Sequence, residues 1–137
     1  MSGIKQVLAL CFIFACAISA DAVACSCAEI NEGNILKPEY IFVGFVSEGK
    51  GLFEPHRNEE EYLFKVVESF KGKIGEFVNV KARSNPMACG IGYRANVHYL
   101  IFGWSSNGFV RTGACGSFPI DSKQGRRLFG LLTTLAE

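Results

Sequence analysis

The pattern of apolar and polar positions predicts several short strands followed by one helix. Apolar residues either alternate with polar ones or form short β-branched and aromatic runs between turn residues, which is typical of strands. Asn107-Gly108 separates the last two runs, and this dipeptide favours a tight hairpin turn. The five predicted strands are residues 40–46, 61–70, 77–82, 97–104 and 109–114. Short strands at this spacing predict a mainly β fold, a closed or nearly closed barrel.

The C-terminal part of the chain has a different periodicity. Four leucines recur there at helical spacing, and either Asp121 or Ser122 is suited to cap the start of a helix. The four are Leu128, Leu131, Leu132 and Leu135. We therefore predict a C-terminal amphipathic helix packed on the barrel. We also allow for a short N-terminal helix between Ala28 and Leu36.

The first part of the chain has the composition of a secretory signal peptide. Lys5 supplies a positive charge, residues 7–20 form an apolar run, and Ala22-Val23-Ala24 is suited to cleavage by signal peptidase. The apolar run is shorter than the roughly 20 residues that a membrane span needs. We therefore predict a signal peptide over residues 1–24 and no transmembrane segment. A single secreted domain then covers residues 25–137, and it would be periplasmic in a bacterium.

Processing as a lipoprotein is the alternative for this leader, with Cys25 acylated. The large aliphatic residue usual three positions upstream is replaced by Ala22, and acylation would leave an odd number of other cysteines. Cleavage after Ala24 without acylation is favoured, and it makes Cys25 the first residue of the mature chain.

Four cysteines remain once the leader is removed, and an even number in an exported chain predicts two disulfides. A bridge between Cys25 and Cys27 would be strained, because they are only two positions apart. Two pairings are left: Cys25–Cys89 with Cys27–Cys115, or Cys25–Cys115 with Cys27–Cys89. The residues alone do not choose between them. A metal site of four thiolates is disfavoured, because no Cys-x-x-Cys spacing is present and the compartment is oxidising.

Charge and motifs argue against several classes of function. The net charge is +1 and the basic residues are scattered, so we expect no binding of nucleic acid. His98 lies in a strand pattern and His56 in a polar loop, where each is better explained as a packed or solvated residue than as a base. No nucleophile elbow, phosphate loop or zinc-protease motif occurs. We therefore predict that the protein is not an enzyme.

The order and spacing of these motifs resemble the N-terminal domain of the tissue inhibitors of metalloproteinases. That domain is the netrin-like version of the OB barrel, and the resemblance covers nearly all of residues 25–137. The matching segments are Cys25-Ser26-Cys27, residues 41–44, residues 64–72, Cys89-Gly90, residues 99–103 and Cys115-Gly116.

The resemblance implies a fold, a pairing and an activity. It implies a five-stranded barrel with flanking helices, and the disulfides Cys25–Cys89 and Cys27–Cys115. It also implies that the protein inhibits zinc metalloendopeptidases. The α-amine and carbonyl of Cys25 would chelate the catalytic zinc of the target protease, so the protein would need no cofactor of its own.

The resemblance also implies a contact surface for the protease. Ser26 would enter the primary specificity pocket, while Cys27, Ala28 and Glu29 would lie along the substrate cleft beside the loop Pro86-Met87-Ala88. We expect a monomer whose partner is a zinc metalloproteinase. The alternative is a netrin-like module that binds other proteins and inhibits no protease. Cys25 and Cys27 would then serve only to stabilise the fold through their disulfides.

Overall fold

The computed structural model describes residues 26–48, 59–83 and 90–136, which form a mainly β structure with one α-helix. The strands are β1 (Tyr40–Glu48), β2 (Glu59–Lys71), β3 (Phe77–Arg83), β4 (Tyr99–Ser106), β5 (Phe109–Thr112) and β6 (Ser117–Pro119), and the helix is α1 (Lys123–Leu135). The predicted signal peptide, Cys25, His56 and residues 84–89 lie outside the described ranges.

Five of the strands close into a barrel. They pair in the order β1-β2-β3-β5-β4, and β4 pairs with β1 to complete the ring. β3 and β5 run parallel, whereas the other pairs are antiparallel. The predicted five-stranded barrel is therefore confirmed. β6 is an addition that the sequence did not reveal, since a three-residue strand containing Ser117 and Pro119 carries little pattern.

Alternation along β2 and β3 places one face of each strand inside the barrel. Tyr62 and Phe64 of β2 and Val80 of β3 are buried, whereas Lys65 on the alternate face is exposed. Between β4 and β5, Asn107 and Gly108 have φ values of 49° and 82°. Positive φ at both central residues is what a type I′ hairpin needs, which confirms the predicted turn.

β1 and β4 differ from the other strands because both of their faces are buried. Phe42 and Ile101 point into the barrel interior, where they join a mainly aromatic cluster. Their neighbours Ile41 and Leu100 point outward into a second cluster, beneath α1. This second, outer cluster consists of Ile35, Ile41, Val43, Leu100, Phe102, Leu128 and Leu132. Burial on both sides explains why these two strands are nearly continuous apolar runs.

Tyr93 packs against the interior cluster. Its ring meets those of Tyr62, Phe64 and Tyr99 edge to face, with centroids 4.9, 5.0 and 5.1 Å away. Its hydroxyl lies 2.8 Å from Oγ of Ser117 in β6. Burial raises the pKa of the Tyr93 hydroxyl well above its usual value, because the charged form would lose its hydration. The side chain therefore stays neutral and acts as packing.

Ser122 begins α1, so one of the two predicted caps is confirmed. Its Oγ accepts a hydrogen bond from the Gly125 amide at 3.0 Å and donates one to the Pro119 carbonyl at 2.6 Å. Leu128 and Leu132 are buried against the barrel, whereas Leu135 is 43% exposed at the helix end. The helix packs on the barrel as an amphipathic element through Gly125, Leu128 and Leu132, which span its first three turns.

Residues 32–36 form turns and residues 28–31 have no regular structure, so the short helix allowed for there is not present. β5 is shorter than predicted, because residues 114–116 form a 3-10 turn in place of extended chain. Within the three described ranges, no helix combines the length and apolar character of a membrane-spanning segment.

Candidate functional site

The segment predicted to contact a protease lies outside the barrel and has no regular secondary structure. We call residues 26–38 the N-terminal segment. Ser26, Cys27, Ala28 and Glu29 are all exposed at its start. An exposed chain without strand or helix hydrogen bonds is held in place only by its other contacts. Three sets of contacts hold this segment, two with the rest of the molecule and one inside the segment.

The first contact is the disulfide between Cys27 and Cys115. Their Cα atoms are 5.3 Å apart, and the residues are separated by 88 positions in the chain. Cys115 belongs to the 3-10 turn that follows β5, and this turn packs directly on β4. A Cβ atom on Gly116 would lie 2.5 Å from the Phe102 carbonyl oxygen, so only glycine permits that approach. The position of Cys27 is thus fixed through the turn to a central strand.

Cys27–Cys115 excludes one of the two pairings that the sequence leaves open, because it removes any bridge from Cys27 to Cys89. It is also the bridge implied by the family resemblance. Cys25 and Cys89 lie outside the described residues, so Cys25–Cys89 stays a prediction.

The second contact is internal to the segment and is made by two asparagines. Asn34 accepts a hydrogen bond from the Asn31 amide through Oδ1 and donates one to the Glu29 carbonyl through Nδ2, both at 2.8 Å. Asn31 Oδ1 accepts from the Gly33 amide, also at 2.8 Å. Side-chain hydrogen bonds of this kind compete with helix formation, which explains the turns at residues 32–36.

The third contact joins the segment to the outer cluster and to the helix. Ile35 is fully buried among the residues of β1, β4 and α1. Nη2 of Arg127, from α1, donates a hydrogen bond to the Ile30 carbonyl at 2.9 Å. Nζ of Lys71, from β2, also donates a hydrogen bond to the Leu36 carbonyl at 2.5 Å. The N-terminal segment is therefore attached at Cys27, Ile30, Ile35 and Leu36.

A groove of about 530 Å³ lies between the N-terminal segment and the adjoining ends of β4 and β5. Its wall includes apolar side chains from both sides, among them Ile30, Ile35, Phe102 and Trp104. Trp104, the largest side chain in the wall, is 50% exposed. Charged side chains also line the groove: Glu29, Lys37 and Arg111.

The predicted contact residues are thus only partly brought together by the described structure. Ser26, Cys27, Ala28 and Glu29 form one continuous exposed stretch, and the last two also border the groove. Pro86, Met87 and Ala88 lie outside the described ranges. The chain on either side of them is joined, since the Ile91 amide donates to the Arg83 carbonyl at 2.7 Å.

The described residues hold no group of three or more His, Cys, Asp or Glu side chains placed to bind a metal ion. His98 is exposed just before β4, and its ring packs edge to face on Phe45 with centroids 5.1 Å apart. This is the packed or surface position expected of it.

The groove was not foreseen from the sequence. Lys37 and Trp104 lie far apart in the chain, and each looks ordinary in its local pattern. Only the closure of the barrel and the placement of the N-terminal segment bring them together.

Comparison with known proteins does not identify a family for this chain. A scan against protein-family models finds no match, and a search of curated proteins finds no significant one. The resemblance to metalloproteinase inhibitors therefore rests on the residues quoted above and on the barrel.

Proposed function

We propose that this protein is a secreted inhibitor of zinc metalloendopeptidases that acts through the free α-amine and carbonyl of Cys25. The observation that carries the proposal is the Cys27–Cys115 disulfide. It attaches the chain to the barrel two residues after the proposed terminus, while the residues next to that terminus remain exposed. A disulfide between distant parts of the chain also supports an oxidising compartment.

The chemistry of a zinc protease suits such a terminus. Its zinc has three protein ligands and an open position that holds water. A terminal amine has an ordinary pKa of roughly 7.7–8.0, so it can lose its proton near neutral pH and replace that water. Holding the amine in one place before binding lowers the entropic cost of the complex. The proposed Cys25–Cys89 bridge would restrain Cys25 itself.

The neighbouring residues supply the rest of the proposed contact. Ser26 enters the specificity pocket of the protease, and Cys27, Ala28 and Glu29 follow the substrate cleft with Pro86, Met87 and Ala88 alongside. The exposure of residues 26–29 supports this placement. The zinc belongs to the target, and cleavage after Ala24 creates the site.

A module that binds another protein without inhibiting a protease is the second candidate. The half-exposed Trp104 beside an apolar groove favours it, because large apolar side chains left in solvent often mark binding surfaces. In this case the N-terminal disulfides would serve only to stabilise the fold.

The test is to extend the mature chain by one alanine before Cys25. Intact mass first establishes that the unmodified protein begins at Cys25 and carries no lipid. The native and extended proteins are then assayed against a panel of zinc endopeptidases. A protein with one alanine added after Glu137 is the matched control, because its length changes equally and its N-terminus does not.

We expect the native and C-terminally extended proteins to inhibit at least one protease and the N-terminally extended protein to inhibit none. The added residue converts the amine into a peptide nitrogen, which cannot bind zinc in the same way. Equal inhibition by all three would contradict zinc chelation. No inhibition by any of them would favour the binding module.

A further inference from the structure

We infer that Arg127 of α1 and Asn34 of the N-terminal segment are positioning residues for the proposed protease-binding stretch, Ser26 to Glu29. Together they hold the backbone at the point where that stretch ends. The inference rests on the proposed function, because it concerns how the stretch is presented to a protease. Its basis is that both side chains bond to the same short piece of backbone, from the Glu29 carbonyl to the Asn31 amide.

The peptide group between Ile30 and Asn31 is hydrogen-bonded on both sides. Its carbonyl accepts from Nη2 of Arg127 at 2.9 Å, and its amide donates to Oδ1 of Asn34 at 2.8 Å. Nδ2 of Asn34 also donates to the carbonyl of the preceding peptide group, at Glu29. Because a peptide group is planar, this one cannot rotate without disturbing the bonds at both of its ends. The direction of the backbone after Glu29 is therefore fixed by these two side chains.

Arg127 is itself held in place by its helix. Its Nε donates to Oε1 of Gln124, one turn earlier in α1, at 3.2 Å, while its Nη2 donates to the Ile30 carbonyl. The planar guanidinium makes both bonds in one fixed geometry, to which the flexible ammonium of a lysine is not suited. The next residue, Leu128, is fully buried in the outer cluster, so the helix cannot shift without losing that packing. The backbone at Ile30 is thus referred to the core of the molecule.

The exposed stretch is therefore restrained at both ends. The disulfide between Cys27 and Cys115 fixes it near its start, and the bonded peptide group fixes the chain directly after Glu29. Restraint before binding lowers the entropic cost of ordering the stretch in a complex. Arg127 is exposed, so its loss should loosen the end of the stretch with little effect on the stability of the barrel.

Arg127→Ala tests the inference, and Arg126→Ala is its matched control. Both arginines are exposed and adjacent in α1, so the two variants lose the same charge from the same turn. Amide exchange is measured at Asn31 and Leu132, and inhibition is measured with a protease that the native protein inhibits. We expect Arg127→Ala to exchange about fivefold faster at Asn31, to be unchanged at Leu132, and to inhibit about fivefold more weakly. Arg126→Ala should match the native protein in all three measurements.

Asn34→Ala, alone and combined with Arg127→Ala, tests whether the two side chains act on the same piece of backbone. Asn34→Ala should weaken inhibition by at least as large a factor as Arg127→Ala, because it removes two hydrogen bonds. The double variant should weaken inhibition by less than the product of the two single factors. The reason is that loss of either partner already frees the same peptide group, so the two effects are coupled.

Three results would overturn the inference and leave the proposed function in place. The first is unchanged exchange at Asn31, or unchanged inhibition, in Arg127→Ala. The second is an equal effect of Arg126→Ala, or equally faster exchange at Leu132, which would indicate lost charge or general loosening of the helix. The third is a double variant whose effect equals the product of the single factors. Failure of the native protein to inhibit any protease would instead contradict the proposed function, and the inference with it, before any variant is compared.

Discussion

Two parts of this protein pack on the same outer face of the barrel, and they are held there in different ways. α1 satisfies its backbone hydrogen bonds internally and buries Leu128 and Leu132. The N-terminal segment has no regular structure, and it contributes Ile35 to the same cluster. A disulfide and a few hydrogen bonds hold the rest of it. The proposed site belongs to the second part, so its order depends on a small number of contacts with distant residues.

This difference in the number of stabilising contacts predicts how each part responds to substitution. In α1 the loss of one contact leaves the remaining backbone hydrogen bonds in place. In the N-terminal segment, far fewer interactions restrain the chain: the disulfide at Cys27, the buried side chain of Ile35 and a few hydrogen bonds made by side chains. We therefore expect changes in the segment to affect its order more than equal changes in the helix affect the helix.

The largest effect is expected from removing the disulfide in the variant Cys27→Ser/Cys115→Ser. Releasing a loop of this length should lower the free energy of unfolding by about 4 kcal/mol, since the unfolded chain regains its freedom. Urea denaturation followed by circular dichroism measures the loss. A loss below about 1 kcal/mol would mean that other contacts already fix the segment.

A smaller effect, of about 3 kcal/mol, is expected from Leu128→Ala in the helix and from Ile35→Ala in the segment. Both side chains are fully buried in the outer cluster, so both substitutions leave a cavity there. Leu135→Ala is the control, because that leucine is 43% exposed, and it should change stability by less than about 0.5 kcal/mol.

The two buried substitutions should differ in their effect on the proposed site. At a temperature where both variants are folded, Ile35→Ala should weaken the inhibition proposed above and Leu128→Ala should not. Equal weakening of inhibition by both substitutions would show that the helix and the segment are ordered as one unit, contrary to this account.

Much of the barrel was predictable because its pattern is local. The alternation of Val78, Val80 and Ala82 identifies β3 as a strand with one buried face, and Asn107-Gly108 identifies the hairpin between β4 and β5. Ser122 caps the helix through a hydrogen bond to a residue three positions away. In each case the interaction that forms the structure joins residues close in sequence.

The site was less predictable because its interactions are not local. The absence of a helix at residues 28–36 reflects the side-chain hydrogen bonds of Asn31 and Asn34, which compete with a pattern that otherwise allows one. The position of Cys27 depends on Cys115, and the residues alone left two partners open. The groove needs Trp104 and Lys37 to be brought together by the complete fold.

The smallest effects are expected from single hydrogen-bonding side chains. Ser122→Ala removes the helix cap and should cost about 1 kcal/mol. Asn34→Ala removes hydrogen bonds to the Asn31 amide and the Glu29 carbonyl and should also cost about 1 kcal/mol. Thermal unfolding of both variants checks the sizes. Only Asn34→Ala should alter the groove, visible as a shift in Trp104 emission. A shift in Ser122→Ala and none in Asn34→Ala would show that the helix cap, and not Asn34, orders the groove.

The most direct test of the central claim is native-state hydrogen exchange at the Ile35 amide, which donates to the Asn31 carbonyl at 2.9 Å. The claim is that the disulfide keeps the N-terminal segment ordered. Exchange at Ile35 is compared with exchange at Leu132 in α1, in the native protein and in Cys27→Ser/Cys115→Ser. We predict protection of both amides in the native protein, and loss of protection in the variant that is larger at Ile35 than at Leu132. An unprotected Ile35 in the native protein, or an equal loss at both amides, would contradict the claim.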